Sequence, residues 1–156
     1  MAINNVRNYL SKFGLQDRIK EFEVSSATVE LAAMALNCEP ARIAKTLSFL
    51  TDLPILIVVA GDVKIDNTKY KEIFGTKAKM IQFDNVESLI GHAVGGVCPF
   101  GILDNVKVYL DISLKRFDTV FPACGSSNSA IELSIHELER SAQNFAGWID
   151  VCKNII

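Results

Sequence analysis

The chain has 156 residues, 49% of them hydrophobic and 22% charged, with a formal net charge of −2. That size and content read as one domain, residues 1–156, with a substantial core, and the slight acidity argues against coating long stretches of nucleic acid by counterion release. The longest apolar run, Leu53 to Ala60, falls far short of the roughly 20 residues that span a bilayer, and Asn4, Asn5 and Arg7 make the start unlike a signal peptide, so the expectation is a cytoplasmic protein without a membrane partner.

Val6, Leu10 and Ile19 fall near helical spacing over Val6 to Phe22, which predicts an opening amphipathic helix broken near Gly14. Ser25 and Ser26 precede an alanine-rich helix, Ala27 to Leu36, with Glu30 in its first turn, and Pro40 opens a short second helix through Ala44. Lys45 to Leu50 alternates polar and apolar residues as a strand does, and the β-branched run Pro54 to Ala60 suits its buried hairpin partner. A helix over Asn67 to Phe74, capped by Gly75, a strand over Lys77 to Phe83 and a short helix over Asn85 to Ile90 lead into a glycine-rich turn.

That turn, Gly91-His92-Ala93-Val94-Gly95-Gly96-Val97-Cys98-Pro99-Phe100-Gly101, combines residues free to take positive φ with a proline that sets the exit direction. It reads either as a tight connection or as a loop whose N–H groups converge on a phosphate, a carboxylate or an oxyanion. Val106 to Asp111 is a further strand, and Thr119-Val120-Phe121 with Ala130 to Leu133 forms a second hairpin around Gly125-Ser126-Ser127-Asn128. Ser134 and Glu137 make a capping box for a last helix, Ile135 to Asn144. Helices and strands mix without regular βαβ alternation, which predicts an α+β fold on a mixed, partly closed sheet.

Among the polar residues, Lys45 stands at a strand end, where its ammonium can serve a pocket as a fixed charge or simply be solvated. His92 reads as a packing residue or a proton carrier, and His136 as surface. Lys64, Lys69, Lys71, Lys77 and Lys79 crowd one segment, as a phosphate-binding patch or an ordinary solvated face. The four cysteines Cys38, Cys98, Cys124 and Cys152 are scattered without C-x-x-C spacing, so they read as reduced thiols, and no metal or other cofactor is expected. Cys98 lacks an identifiable base and reads as a small side chain lining a pocket rather than a nucleophile.

Ala44-Lys45-Thr46-Leu47, then Gly95 through Gly101, then Ala123-Cys124-Gly125-Ser126 ahead of Ile131-Glu132-Leu133-Ser134, together resemble the YbaK family across residues 25–150. That family comprises aminoacyl-tRNA deacylases related to the editing domain inserted in bacterial prolyl-tRNA synthetase. The resemblance implies that the mixed, partly closed sheet is barrel-like and surrounded by helices. It also implies Lys45, Gly95 and Gly96 in catalysis, and Thr46, Val97, Cys98, Pro99, Gly101, Gly125 and Ser126 in substrate binding. Many members carry serine before the loop proline, where this chain has Cys98.

The resemblance also implies a free-standing hydrolase of mischarged tRNA of the Cys-tRNA(Pro) or Ala-tRNA(Pro) type. Its partners are then the tRNA acceptor end and an aminoacyl-tRNA synthetase. Two other readings stand beside it: a non-catalytic module that binds tRNA or an aminoacyl group, and a hydrolase of another small acyl ester.

Overall fold

The structure is a computed structural model that describes residues 2–155. Helix α1, Ala2–Ser11, buries Val6 and Leu10 and stops ahead of Gly14, with a 3-10 turn at Gln16–Arg18 in place of the expected continuation to Phe22. The two-residue strand β1, Lys20–Glu21, follows. Helix α2, Val29–Leu36, begins later than the serine pair suggested, because the Leu31 N–H donates to Thr28 Oγ1 at 3.2 Å and makes Thr28 the cap.

Pro40–Arg42 is a single 3-10 turn, so no second helix forms, and strand β2 starts already at Ile43 and runs to Leu50. Strand β3, Pro54–Ala60, is its antiparallel partner as expected and is buried throughout, as suits an uninterrupted apolar run with a strand on either side. A short strand β4, Val63–Ile65, leads to α3, Asn67–Phe74, which Asp66 caps through the Thr68 and Lys69 N–H groups and which Gly75 ends.

The segment expected as a strand over Lys77 to Phe83 pairs only at Met80, opposite Phe49, and Phe83 already belongs to helix α4, Phe83–Ile90. After the glycine-rich turn come β5, Lys107–Asp111, a 3-10 turn at Ile112–Arg116, and β6, Thr119–Pro122. Strands β7, Ser129–Ala130, and β8, Leu133–Ser134, return antiparallel, with Val120 opposite Leu133. The capping box on Ser134 starts α5, Ile135–Ser141, and two further strands, β9, Phe145–Ile149, and β10, Cys152–Asn154, close the chain.

Six strands form one curled, half-barrel sheet in the order β8-β6-β2-β3-β5-β9, mixed in direction, since β3, β5 and β9 run parallel while β2 opposes β3. The main core packs β3 and β5 against α1, α4 and α5 through residues such as Leu10, Leu56, Val58, Ile90, Leu110 and Leu138. Phe49, Tyr70, Phe74 and Tyr109 form an aromatic chain between the sheet and α3, with ring centroids 4.6 to 5.2 Å apart. Among the described residues no helix is long and apolar enough to cross a membrane.

Candidate functional site

The outer edge of β2 is paired at both ends and open between them. At one end β6 runs parallel to it at Ile43 and Ala44. Toward the other, the Ile81 N–H donates to Ser48 O at 3.1 Å and the Leu50 N–H to Lys79 O at 2.8 Å. These bonds turn the main-chain groups of Ser48 and Leu50 outward. By strand alternation Thr46 turns its N–H and C=O to the same side, where no strand lies among the described residues.

A pocket of about 440 Å³ occupies this gap, lined by β2 from Ile43 to Ser48, by the first turns of α2, by the 80–86 segment and by the glycine-rich turn. Most of the lining is apolar, and Lys45 is its one charged member among the described residues. The half-buried Lys45 ammonium donates to Val63 O at 2.5 Å. Burial pulls its pKa below the ordinary lysine value, while Cys152, Asp62 and Glu30 oppose that pull. Asp62 is itself held low by hydrogen bonds from Arg116, at 3.0 and 2.6 Å, so a fixed carboxylate stands on the Lys45 side.

Across the pocket Gly95 and Val97 supply the glycine-rich wall. Gly95 has φ +96°, a conformation that side-chain-bearing residues rarely take. Gly96 is needed for a different reason. A Cβ there would lie 2.6 Å from the Gly125 carbonyl carbon and 2.7 Å from the Ser126 N, so the loop can rest on the 125–126 turn only without one. The Gly96 N–H is committed to Ala93 O at 3.0 Å, which leaves the amides of Gly95 and Val97 without a partner among the described residues.

The sequence-based candidates therefore separate. Lys45, Thr46, Gly95 and Val97 line one pocket. Gly96, Gly125 and Ser126 lie behind that wall and support it, and Gly101 packs against the main chain of Asn5 in α1.

Cys98 and Pro99 are buried behind the wall and do not line the pocket, which corrects the substrate-binding expectation for both. Cys98 Sγ lies 3.5 Å from Phe100 O and 3.4 Å from His92 Nε2, and burial pushes the thiol up to about 12, so it is uncharged and out of reach of a substrate. His92 is buried with it. Its Nε2 donates to Phe100 O at 2.6 Å, which leaves Nδ1 without a partner among the described residues, and burial lowers its pKa. The ring is a packing residue, not a proton carrier.

Sequence reasoning missed the open edge of β2, because main-chain groups carry no residue-type signal. It also missed Ser129, Ala130 and the first turn of α2, which reach the pocket only through the fold.

Residues 23–141 match the family described as the aminoacyl-tRNA editing domain. Over 156 residues, 99% of each chain, the sequence is 51% identical to uncharacterized protein YwhH of Bacillus subtilis. It is 26% identical over 122 residues, 74% of each chain, to EbsC of Enterococcus faecalis, a candidate Cys-tRNA(Pro)/Cys-tRNA(Cys) deacylase. Among solved structures, a candidate trans-editing enzyme for prolyl-tRNA synthetase has a TM-score of 0.85 at 26% identity, over 98% of both chains.

Proposed function

The chain belongs to the aminoacyl-tRNA editing domain family, and on that premise we propose that it is a cytoplasmic trans-editing hydrolase that cleaves the ester between a wrong amino acid and the 3′ end of a tRNA. A Cys-tRNA(Pro)- or Ala-tRNA(Pro)-type ester is its substrate, and a synthetase is the source of that substrate. Such an enzyme answers a physical limit, since one methylene in a binding pocket discriminates by only about 1–3 kcal/mol, and a second site must then remove the errors.

The observation that carries this reading is a single ammonium, Lys45, set in an apolar pocket that also holds the Gly95–Val97 wall and the open edge at Thr46. The amino acid enters the pocket, and its ammonium meets the outward C=O of Thr46. Lys45 stays charged and anchors the ester or the adjoining phosphate, acting as a fixed charge and not as a base. The amides of Gly95 and Val97 receive the negative charge that develops on the carbonyl oxygen.

The attacking group is a water, the neighbouring ribose hydroxyl or a thiol of the substrate itself. A protein nucleophile is disfavoured because Cys98, Cys124 and Cys152 are buried with raised thiol pKa values. Among the described residues the same lining holds no carboxylate or imidazole to serve as a base, which favours, as the second reading, a module that binds the aminoacyl end without turnover.

A deacylation screen over alanyl-, cysteinyl-, seryl- and prolyl-tRNA separates the two. One ester should be released well above its spontaneous rate, and Lys45→Ala should lower that rate by about 10²-fold or more, with Lys45→Arg a poor substitute because a planar fork replaces a compact charge. Release from none of the four leaves the binding module, and near-normal turnover by folded Lys45→Ala removes the assigned role of the lysine.

A further inference from the structure

Three large apolar side chains stand in solvent around the mouth of the pocket: Phe83 is 74% exposed, Met80 58% and Val94 46%, and all three belong to its lining. Exposed apolar residues are ordinary when scattered singly; gathered on the rim of one pocket they mark a contact surface. Phe83 opens the helical stripe that Val86 and Ile90 continue into the core. At Phe83 that stripe has passed the core and reached the pocket mouth.

Exposed Lys77 and Lys79 lie just upstream, and neither forms an ion pair among the described residues. The segment that carries them is held to the sheet through Lys79 O, which accepts the Leu50 N–H at 2.8 Å. An apolar rim with an aromatic face, next to uncommitted cations, is the chemistry that single-stranded nucleic acid recognises, through base stacking and phosphate contact. A protein partner would use the rim but leave the lysines without a counterpart.

We infer that Phe83, flanked by Met80 and Val94, is the stacking platform for the 3′-terminal adenine of the RNA, with Lys77 and Lys79 on the phosphates that precede it in the strand. This rests on the reading above. With the ester carbonyl between Lys45 and the Gly95 wall, the base of the esterified nucleotide is one ribose ring away, which brings it to the mouth. The platform is indifferent to the amino acid and so adds affinity common to every charged tRNA, while the pocket behind it selects.

The test is titration of the whole protein into a single-stranded ACCA-ended RNA carrying 2-aminopurine at its 3′-terminal position, followed by fluorescence. Stacking should quench the probe. Phe83→Ala should abolish the quench and weaken binding by about 5- to 150-fold, the range that base–aromatic stacking spans on alanine substitution, whereas Phe83→Tyr should preserve both. Moving the probe to the penultimate position should reduce the quench. The pair Lys77→Gln and Lys79→Gln should flatten the slope of log affinity against log salt by about 1.4, for two phosphates of a single strand.

Binding and quenching unchanged in Phe83→Ala, a stronger quench at the penultimate base, or no RNA binding at all would each overturn the platform. Hydrolysis of an ester with Phe83→Ala as fast and as tight as the parent would overturn it while leaving the hydrolase standing. Quenching by a protein that hydrolyses none of the four esters would do the reverse.

Discussion

Lys45 and Cys98 show how little a residue type says without its surroundings, because each sits within a few residues of a glycine or an apolar run and only Lys45 lines the pocket. The Cys98 side chain fills space between Phe100 and His92. Cys98→Ala should therefore cost about 1–2 kcal/mol of stability, the usual consequence of a small loss in a packed interior, while deacylation by the folded variant stays within a few-fold of the parent. A covalent acyl group trapped on this thiol would contradict that. His92 makes a pH prediction with a definite sign. Its folded-state pKa lies below the ordinary 6.5 because burial disfavours the charged ring, so the unfolded chain takes up the proton first. The stability it contributes is complete above that value and is lost as the pH falls below it. Denaturant unfolding between about pH 7 and about pH 5 should show a steeper loss in the parent than in His92→Gln, whose amide still donates to Phe100 O but does not titrate. Parallel curves for the two proteins would show that the ring does not govern the acid limb.

The glycine-rich turn acts as an element rather than as a set of flexible residues. Its entry is closed by the Gly91 N–H on Glu87 O at 2.9 Å, its exit by the Gln143 N–H on Pro99 O at 2.9 Å, and its middle rests on the turn at Gly125. A wall held at three points keeps the Gly95 and Val97 amides in place, which is the condition that the oxyanion role proposed for them requires. Gly96→Ala forces the wall away from Gly125, since the clash is with main chain and no side chain can swing aside. We expect kcat to fall by about 10²-fold or more, comparable to losing an oxyanion donor, with far-UV circular dichroism retained and the melting temperature lowered by only a few degrees. An unaltered kcat would separate this wall from the chemistry. The elements themselves were largely readable. The Lys45–Leu50 alternation, the apolar β3 run and the Ser134 capping box all appear where local pattern put them. The Lys77 to Phe83 strand did not form because only Met80 finds a partner beside β2, and β9 was missed because Phe145 to Ile149 lacks alternation and is held by parallel pairing to β5.

At the scale of the whole molecule, a net charge of −2 leaves few cations for nucleic acid, so recognition should be confined to the acceptor end. The salt dependence of tRNA binding should have a slope between about −2 and −3, corresponding to three or four phosphates of a single strand, and should be unchanged when the distant arms are cut away. A markedly steeper slope would mean that the protein follows the duplex as well. The elements with strong local period, the lysine candidate and the family resemblance were legible along the chain, because hydrophobic alternation, capping chemistry and a motif in fixed order are properties of sequence neighbours. Which candidates share a pocket follows from the packing of distant segments. That packing placed Gly95 and Val97 opposite Lys45, withdrew Cys98 into the core, and left the edge of β2 open at Thr46 between Ala44, paired to β6, and Ser48, paired to Ile81. That gap is closed at its ends by β6 and by the segment at Lys79, whose bond to Leu50 spans 29 residues of sequence, and a contact between such distant segments depends on how the sheet curls, which no local pattern specifies.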